Sequence, residues 1–464
     1  MLKRALVEGH GLLALAMALV ACAAPEALAQ QSHPPAPEPP AGYGEELWQR
    51  AWKLHHEALV VDTHSDTTSR ILDEGFDMGP RAKDGHADLP RIAEGGLDAQ
   101  FYSIYVASRF YGDEAPLFAP PPPGGEWDRP KEPGSANGSA RRALQMIDGI
   151  VRMTTKYPDR MTLCTSRVEL LDAVRMGRHA TLMGIEGGHA IEGRLDLLRQ
   201  FHRLGVRYMT LTHTNHNEYA DSCADATPRW GGLNQLGVKV VLEMNRLGML
   251  VDVSHVSDAT FFDALRVTRA PAICSHSSMR ALCGHPRNIT DDMLRALAKN
   301  GGVVMINFNC GFVDPEYGKR ADAANQVRRI REREIRRQFA EGSKEREEAM
   351  AALDVRFPRA DRPDIAVLMK HFLHAIEVAG PDHVGIGSDF DGVSCVPKGM
   401  DDVTHLPRIT YHLLEAGHDE ATVRKVLGAN LLRVLEQAEK VAYDLRTEPP
   451  HQNDPATDAQ LLQR

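Results

Sequence analysis

Cysteine is scarce in this chain: seven residues in 464, none in a Cys-x-x-Cys pair. That spacing argues against a structural zinc knuckle. Positive charge is not in excess either. Lys and Arg number 54 against 63 Asp and Glu, for a formal net charge of −9. Nucleic-acid binding needs a basic face and has no support here. Beyond residue 24 there is no long apolar run, which excludes a polytopic membrane protein. The polar stretch from Arg446 lacks the apolar tail that a GPI signal needs. No Gly-x-Gly-x-x-Gly turn follows the first candidate strand, so a dinucleotide-binding sheet has little behind it. With 43% hydrophobic and 25% charged residues, disorder over the whole chain is also excluded.

What is present begins with Lys3 and Arg4, ahead of an apolar run over residues 11–24. That run is too short to span a bilayer but suits the core of a secretory signal. Two exits compete. Ala27-Leu28-Ala29 fits cleavage before Gln30, giving a signal over residues 1–29. Leu19-Val20-Ala21-Cys22 resembles a bacterial lipobox, in which Cys22 carries a lipid. Either exit predicts an exported, periplasmic chain, soluble or lipid-anchored, with no transmembrane span. Residues 30–44 form a Pro-rich spacer. An exported chain could oxidise some of Cys164, Cys223, Cys274, Cys283, Cys310 and Cys395, and spacing leaves the pairing open.

From residue 55 onward, eight short apolar runs stand out, at 58–62, 100–106, 181–185, 208–212, 249–253, 271–274, 302–308 and 383–387. Most are continuous rather than alternating, as in strands of a parallel sheet buried on both faces. Helical spacing recurs between them. Leu236, Val240, Met244 and Leu247 share a face, with Asn234 as N-cap and Gly248 as stop. Ser257 caps a second helix, and residues 365–376 carry a third apolar stripe. Eight strands alternating with helices predict a (β/α)8 TIM barrel over residues 45–445. A Pro/Gly-rich segment at 115–137 reads as a loop. A charged segment at 314–362 reads as a solvated helical insertion, helical over 326–352, and residues 446–464 read as a polar tail.

The chemistry lies where His, Asp and Glu fall. The runs end in Asp62-Thr63-His64-Ser65-Asp66, Gly184-Ile185-Glu186-Gly187-Gly188-His189, Leu211-Thr212-His213, Asp252-Val253-Ser254-His255, Cys274-Ser275-His276 and Gly387-Ser388-Asp389-Phe390-Asp391. In a parallel barrel these C-terminal ends converge on one face, where barrel active sites lie. One histidine among 21 means little, but six strand ends delivering metal-type ligands to one rim predict a metal site. Imidazole and carboxylate without cysteine suit catalytic zinc. His64 and Asp66 are spaced to face the barrel mouth together. His255 and His276 could hold a second ion, with Glu186 bridging the two and a hydroxide between them near neutral pH. Asp389 could bind one ion and exchange protons with the water and the leaving amine. His213 could stabilise an oxyanion. His189 and His216 read as hydrogen-bonded loop residues, and His202 and His285 as structural or exposed.

Taken together, Val61-Asp-Thr-His-Ser-Asp66, Ala99-Gln-Phe-Tyr-Ser-Ile-Tyr105, Gly184-Ile-Glu-Gly-Gly-His189, Arg207-Tyr-Met-Thr-Leu-Thr-His213, Ser275-His-Ser-Ser278, Arg287-Asn288 and Val384-Gly-Ile-Gly-Ser-Asp-Phe-Asp-Gly392 are highly specific. On these motifs the chain resembles the membrane dipeptidase (renal dipeptidase) family of zinc peptidases, amidohydrolase-like barrels, from about residue 54 to 442. The resemblance implies two Zn²⁺ ions: His64, Asp66 and Asp389 on one, His255 and His276 on the other, Glu186 between them. It implies that His213 contacts the scissile carbonyl and that Arg287 binds the substrate's terminal carboxylate, which suits a guanidinium fork. Its members hydrolyse free dipeptides, often with a D-residue at the C-terminal position, some open β-lactams, and many form homodimers. Three departures stand out. A pocket tyrosine of the family falls on Phe312. A disulfide cysteine of the mammalian enzyme falls on Asn215. Cys283 matches another, with its partner displaced to Cys310, so the family's disulfide connectivity does not carry over.

The leading expectation is therefore an exported zinc dipeptidase. A related deacylase acting on N-acyl amino acids would use the same metals, because fold and metals do not fix the substrate. A non-catalytic binding lipoprotein is the third reading, and the intact ligand set speaks against it.

Overall fold

The computed structural model describes residues 35–110, 138–339, 343–356 and 360–453. The signal segment, both of its exits, the 115–137 loop and the end of the tail lie outside these residues. The described residues form nine parallel strands: β1 Val61–Ser65, β2 Ala99–Tyr105, β3 Met161–Leu163, β4 His179–Glu186, β5 Val206–Thr210, β6 Leu250–Asp252, β7 Ile273–Cys274, β8 Val303–Ile306 and β9 Val384–Ile386. Eight of them close into a barrel in the order β1-β2-β4-β5-β6-β7-β8-β9, with β9 pairing back to β1. This is the expected (β/α)8 architecture.

The ninth strand, β3, was not expected. It pairs with the first half of β4 (Met161 with His179, Leu163 with Thr181), while β5 pairs with the second half from Met183 on. One edge of a long strand is thus shared by two short ones. Three residues, two of them only half-buried, give too little apolar pattern to read from sequence.

Strand starts shift where polar side chains take over backbone partners. The first strand was expected at 58–62 and begins at Val61. Ala58 N still caps the preceding helix on Leu54 O, and Val60 N goes to the Asp98 carboxylate at 2.8 Å. The shift brings His64 onto the strand itself. Helix boundaries follow the sequence more closely. In the helix Gln235–Leu247, Asn234 accepts from Gly237 N and Gly248 closes the other end in the left-handed region. Ser257 caps Asp258–Val267 and Asp364 caps Ile365–Ala379.

Seven barrel strands contribute to one apolar cluster through Val61, Phe101, Leu182, Tyr208, Leu250, Ile273 and Met305. The charged segment expected as one helix over 326–352 forms two, Pro315–Gln338 and Lys344–Arg356. Buried Arg328 ties them, pairing with Glu332 at 2.8 Å and with Asp354 across the break. A disulfide joins Cys310, after β8, to Cys395, after β9, with Cα atoms 5.5 Å apart. Cys283 remains a buried free thiol. Among the described residues, no helix is long and apolar enough to cross a membrane.

Candidate metal centre

Each expected ligand sits at or just past the C-terminal end of its strand. His64 is on β1, and Asp66 opens the short helix after it. Glu186 ends β4, His213 follows β5, His255 follows β6, His276 follows β7 and Asp389 follows β9. His255 and Asp389 have φ of 66° and 63°, in the left-handed region that side chains with a Cβ seldom adopt. Such conformations persist where the surroundings hold them, and they cluster at functional sites.

Glu186 is the hub. Its Oε1 lies 3.1 Å from His255 Nε2, 3.2 Å from His276 Nε2 and 3.5 Å from His213 Nε2. Its Oε2 lies 3.4 Å from His64 Nε2 and accepts from Ser103 Oγ at 3.1 Å. His64 Nε2 also stands 3.4 Å from Asp66 and 4.0 Å from Asp389. Three sets are close enough to hold a cation: His64 with Glu186 and His276, Glu186 with His213 and His255, and His64 with Asp66 and Asp389. His213 therefore reaches the same space as the residues expected to be ligands. Expectation had kept it for the substrate carbonyl.

Charge and burial fit a cation. Burial pushes the Asp389 carboxyl up to about 8; His64 opposes this, and the Asp66 and Glu186 carboxylates add to it. Burial would likewise raise Glu186, but the His64 and His213 imidazoles hold it well below the ordinary range. Burial, with Arg287 nearby, drives His255 well down, and burial with His64 does the same to His276. Burial would lower His64 as well, but Tyr208, Glu186 and Asp66 hold it well above its ordinary value, so the neutral imidazoles are those of His255 and His276, and a divalent cation takes such donors beside carboxylates. His64 Nε2 and Asp66 Oδ1 are buried without a hydrogen-bond partner. Gly392 completes the cradle: a Cβ there would lie 2.1 Å from Asp66 Oδ2 and 2.4 Å from Asp389 Oδ1. The residues present therefore fit a metal.

Arg287, 7% exposed, borders this centre. Its Nη2 donates to His276 O at 2.9 Å and its Nη1 to Ser277 Oγ at 3.4 Å, while its Nε has no partner. Phe312 lies 5.5 Å from the guanidinium, so the position that departs from the family's tyrosine stands beside the candidate carboxylate anchor.

The family model of the membrane dipeptidases, peptidase family M19, matches residues 48–449. The chain belongs to that family. It is a metallo-dipeptidase by type. A dipeptidase of Aspergillus oryzae, aclJ, is 38% identical over 372 residues, 80% of this chain and 74% of that protein. The probable dipeptidase PvdM of Pseudomonas aeruginosa shares the fold, with a TM-score of 0.70 at 23% identity over 86% of this chain and all of that one. A metallopeptidase of Rhodobacter sphaeroides, solved with a phosphinate mimic of the dipeptide L-Ala-D-Ala, has a TM-score of 0.64 at 27% identity, over 82% of this chain and 99% of that one.

Three further histidines, His189, His216 and His285, stand outside the candidate ligand sets. His189 is buried in the turn after β4, where burial holds its pKa down at about 4. His216 is tied into its loop by Ser222 N, at 2.9 Å, and Thr227 O. His285 accepts from Arg287 N and packs on Phe312.

Sequence reasoning missed the residues that orient the ligands. Tyr208 OH pairs with His64 Nδ1 at 2.8 Å, and Gly184 makes room for that ring, since a Cβ there would come within 2.0 Å of it. Asn307, directly after β8, donates to Asp389 Oδ2 at 2.8 Å. Asp62 and Asp252, fully buried on β1 and β6, each accept hydrogen bonds from the neighbouring strand on one side and from a serine just past the neighbouring strand on the other. Their only signal was an aspartate two or three residues ahead of a ligand histidine.

Proposed function

We propose that this chain is a zinc dipeptidase that cleaves the peptide bond of free dipeptides, with two Zn²⁺ ions held by His64, Asp66, Glu186, His255, His276 and Asp389. The observation that carries this reading is the gathering of four imidazoles and three carboxylates, with Glu186 at the hub and the Arg287 guanidinium at the edge. Bound zinc would supply the Lewis acidity that activates water and polarises the carbonyl. The protein's own groups do the rest. Arg287 takes the terminal carboxylate of the substrate, which fixes the scissile bond over the centre. His213 donates to the carbonyl oxygen as negative charge builds there. Asp389, held by Asn307, takes a proton from the attacking water and returns it to the leaving amine. A D-residue at the C-terminal position agrees with the L-Ala-D-Ala mimic bound by the Rhodobacter relative.

The reading includes export, through a signal cleaved after Ala29 or a lipid on Cys22. The Cys310–Cys395 disulfide supports this, since such bonds persist in oxidising compartments. Mass spectrometry of the mature N-terminus distinguishes the two exits. The homodimer belongs to the same reading, and sedimentation equilibrium checks it.

The decisive assay compares L-Ala-D-Ala and L-Ala-L-Ala with their N-acetylated forms and with N-acetyl amino acids. Cleavage of the free dipeptides alone, lost to a chelator and restored by zinc, is expected. Cleavage of N-acylated substrates alone would overturn the substrate class and favour a deacylase. Two bound zincs with no turnover would favour a binding role.

A further inference from the structure

We propose that Asp62 and Asp252 are matched positioning residues, each governing one half of the metal centre through a serine that directly precedes a ligand; this rests on the two-ion reading above. The wiring around the two is the same. Asp62 Oδ1 accepts from His64 N at 3.2 Å and Ser388 N at 2.9 Å, and its Oδ2 accepts from Ser388 Oγ at 2.5 Å and Gln100 Nε2 at 2.8 Å. Asp252 Oδ1 accepts from Ser254 N at 3.0 Å and Ser275 N at 2.9 Å, and its Oδ2 accepts from Ser275 Oγ at 2.6 Å and Thr210 Oγ1 at 2.5 Å. In each case one oxygen takes the amide two residues along its own chain and the amide of a serine after the next strand. The other oxygen takes that serine's hydroxyl and a side chain from the strand on the opposite side. Asp389 follows the first serine and His276 the second.

The position of the two aspartates in the barrel gives the reason. The β1–β9 seam has one ladder pair, Asp62 with Ile386, followed only by an isolated bridge from Ser65 to Phe390, and the β6–β7 seam has one ladder pair, Asp252 with Ile273. Every other seam of the barrel registers at least two. Where the backbone ladder is shortest, a buried carboxylate supplies the missing acceptors. The consequence reaches the ligands by two routes. Ser275 has one hydroxyl proton and gives it to Asp252, so its oxygen accepts from His276 Nδ1 at 2.7 Å. That leaves the Nε2 lone pair of His276 facing Glu186. Ser388, held on Asp62, fixes the backbone where Asp389 turns to φ 63° and donates its own amide to His64 O at 3.1 Å.

The test uses the full mature chain and reads metal content rather than turnover. Ser275→Ala and Ser388→Ala are titrated with EDTA, zinc is counted by mass spectrometry, and melting of the metal-free forms is recorded. Each variant should lose one of two ions at a chelator concentration that leaves the wild type loaded, with affinity for that ion weakened about 10–100-fold. The ion retained should differ between them, seen as different d–d spectra after cobalt substitution. Ser→Thr, which keeps the hydroxyl, should restore both ions. If an alanine variant does not fold, Thr210→Val and Gln100→Met remove the opposite arm of each clamp and should split the ions in the same way. Retention of both ions at wild-type affinity, or parallel loss of both with a lowered metal-free melting temperature, would overturn the proposal. A wild-type chain that takes up one ion overturns the two-ion reading, and this inference with it.

Discussion

Gly392 sets a tight limit on the centre, because any side chain there meets the oxygens of Asp66 and Asp389 within 2.4 Å. Contacts that short force the carboxylates apart, so Gly392→Ala should lower metal affinity and kcat together. Atomic absorption after dialysis checks this, and full metal occupancy in the variant would refute it. Arg287 makes the opposite prediction. It binds no candidate ligand side chain, so Arg287→Ala should raise KM about tenfold or more while metal content stays at the wild-type level. Equal losses of metal and affinity would remove it from carboxylate binding. The ligand residues were legible in the sequence because each one ends an apolar run, and a parallel barrel gathers those ends. Their partners were not. Asp62 and Ser388 are 326 residues apart, and nothing local to either marks them as a pair. Asn307 was hidden for a related reason: the run that contains it, 302–308, ends in no titratable group, so that strand appeared to contribute nothing.

Helices and strands differ in how much of their boundary chemistry is local. The helix Gln235–Leu247 has its cap and its stop within its own neighbourhood, and both Asn234 and Gly248 act as the sequence suggests. Asn234→Ala should destabilise the protein by about 1 kcal/mol and leave kcat/KM unchanged, as measured by urea unfolding and dipeptide turnover. No change in stability would show that the cap hydrogen bond to Gly237 contributes little. Strand ends depend on distant groups. The start of β1 is decided by Asp98, which captures Val60 N, and β3 exists because β4 is longer than β5 can cover. Apolar patterning locates such strands but does not bound them. The charged segment shows the same limit: its helical character was legible, while the break between its two helices, bridged by Arg328 and Asp354, was not.

The whole molecule should respond to acid through histidines remote from the centre. Burial lowers His55 to about 3, and His179 and His371 to about 4. Each is hydrogen-bonded in the fold, His55 to Thr410 and Gly95, His179 to Tyr102 and Leu97, His371 to Met279 and Val313. An unfolded histidine takes a proton near pH 6.5, and these do not until the pH is far lower. Their contribution is therefore complete above pH 6.5 and is lost as pH falls toward 4, at up to about 1.4 kcal/mol per pH unit for each. Asp98, raised by burial to about 7, works in the opposite sense. Its stabilising effect is complete below pH 4 and disappears as pH rises through 7. Away from the centre His202, lowered by burial to about 4, acts with these three, and Glu218, raised by burial to about 7, acts with Asp98. Four histidines outweigh two carboxyls, so the melting temperature of the metal-free protein should fall from pH 6.5 to 4.5. A flat profile would contradict the burial of these rings.

The seam between β1 and β9 also sets an order of events. It joins the first strand of the barrel to the last, and Asp389, from beyond that last strand, stands beside His64 from the first. While the chain is being made, every segment up to β8 can exist without a closed barrel or a complete ligand set. A chain cut short before residue 388 has neither the clamp on Asp62 nor the carboxylate that follows it. A complete ligand set is thus a property of the finished polypeptide alone.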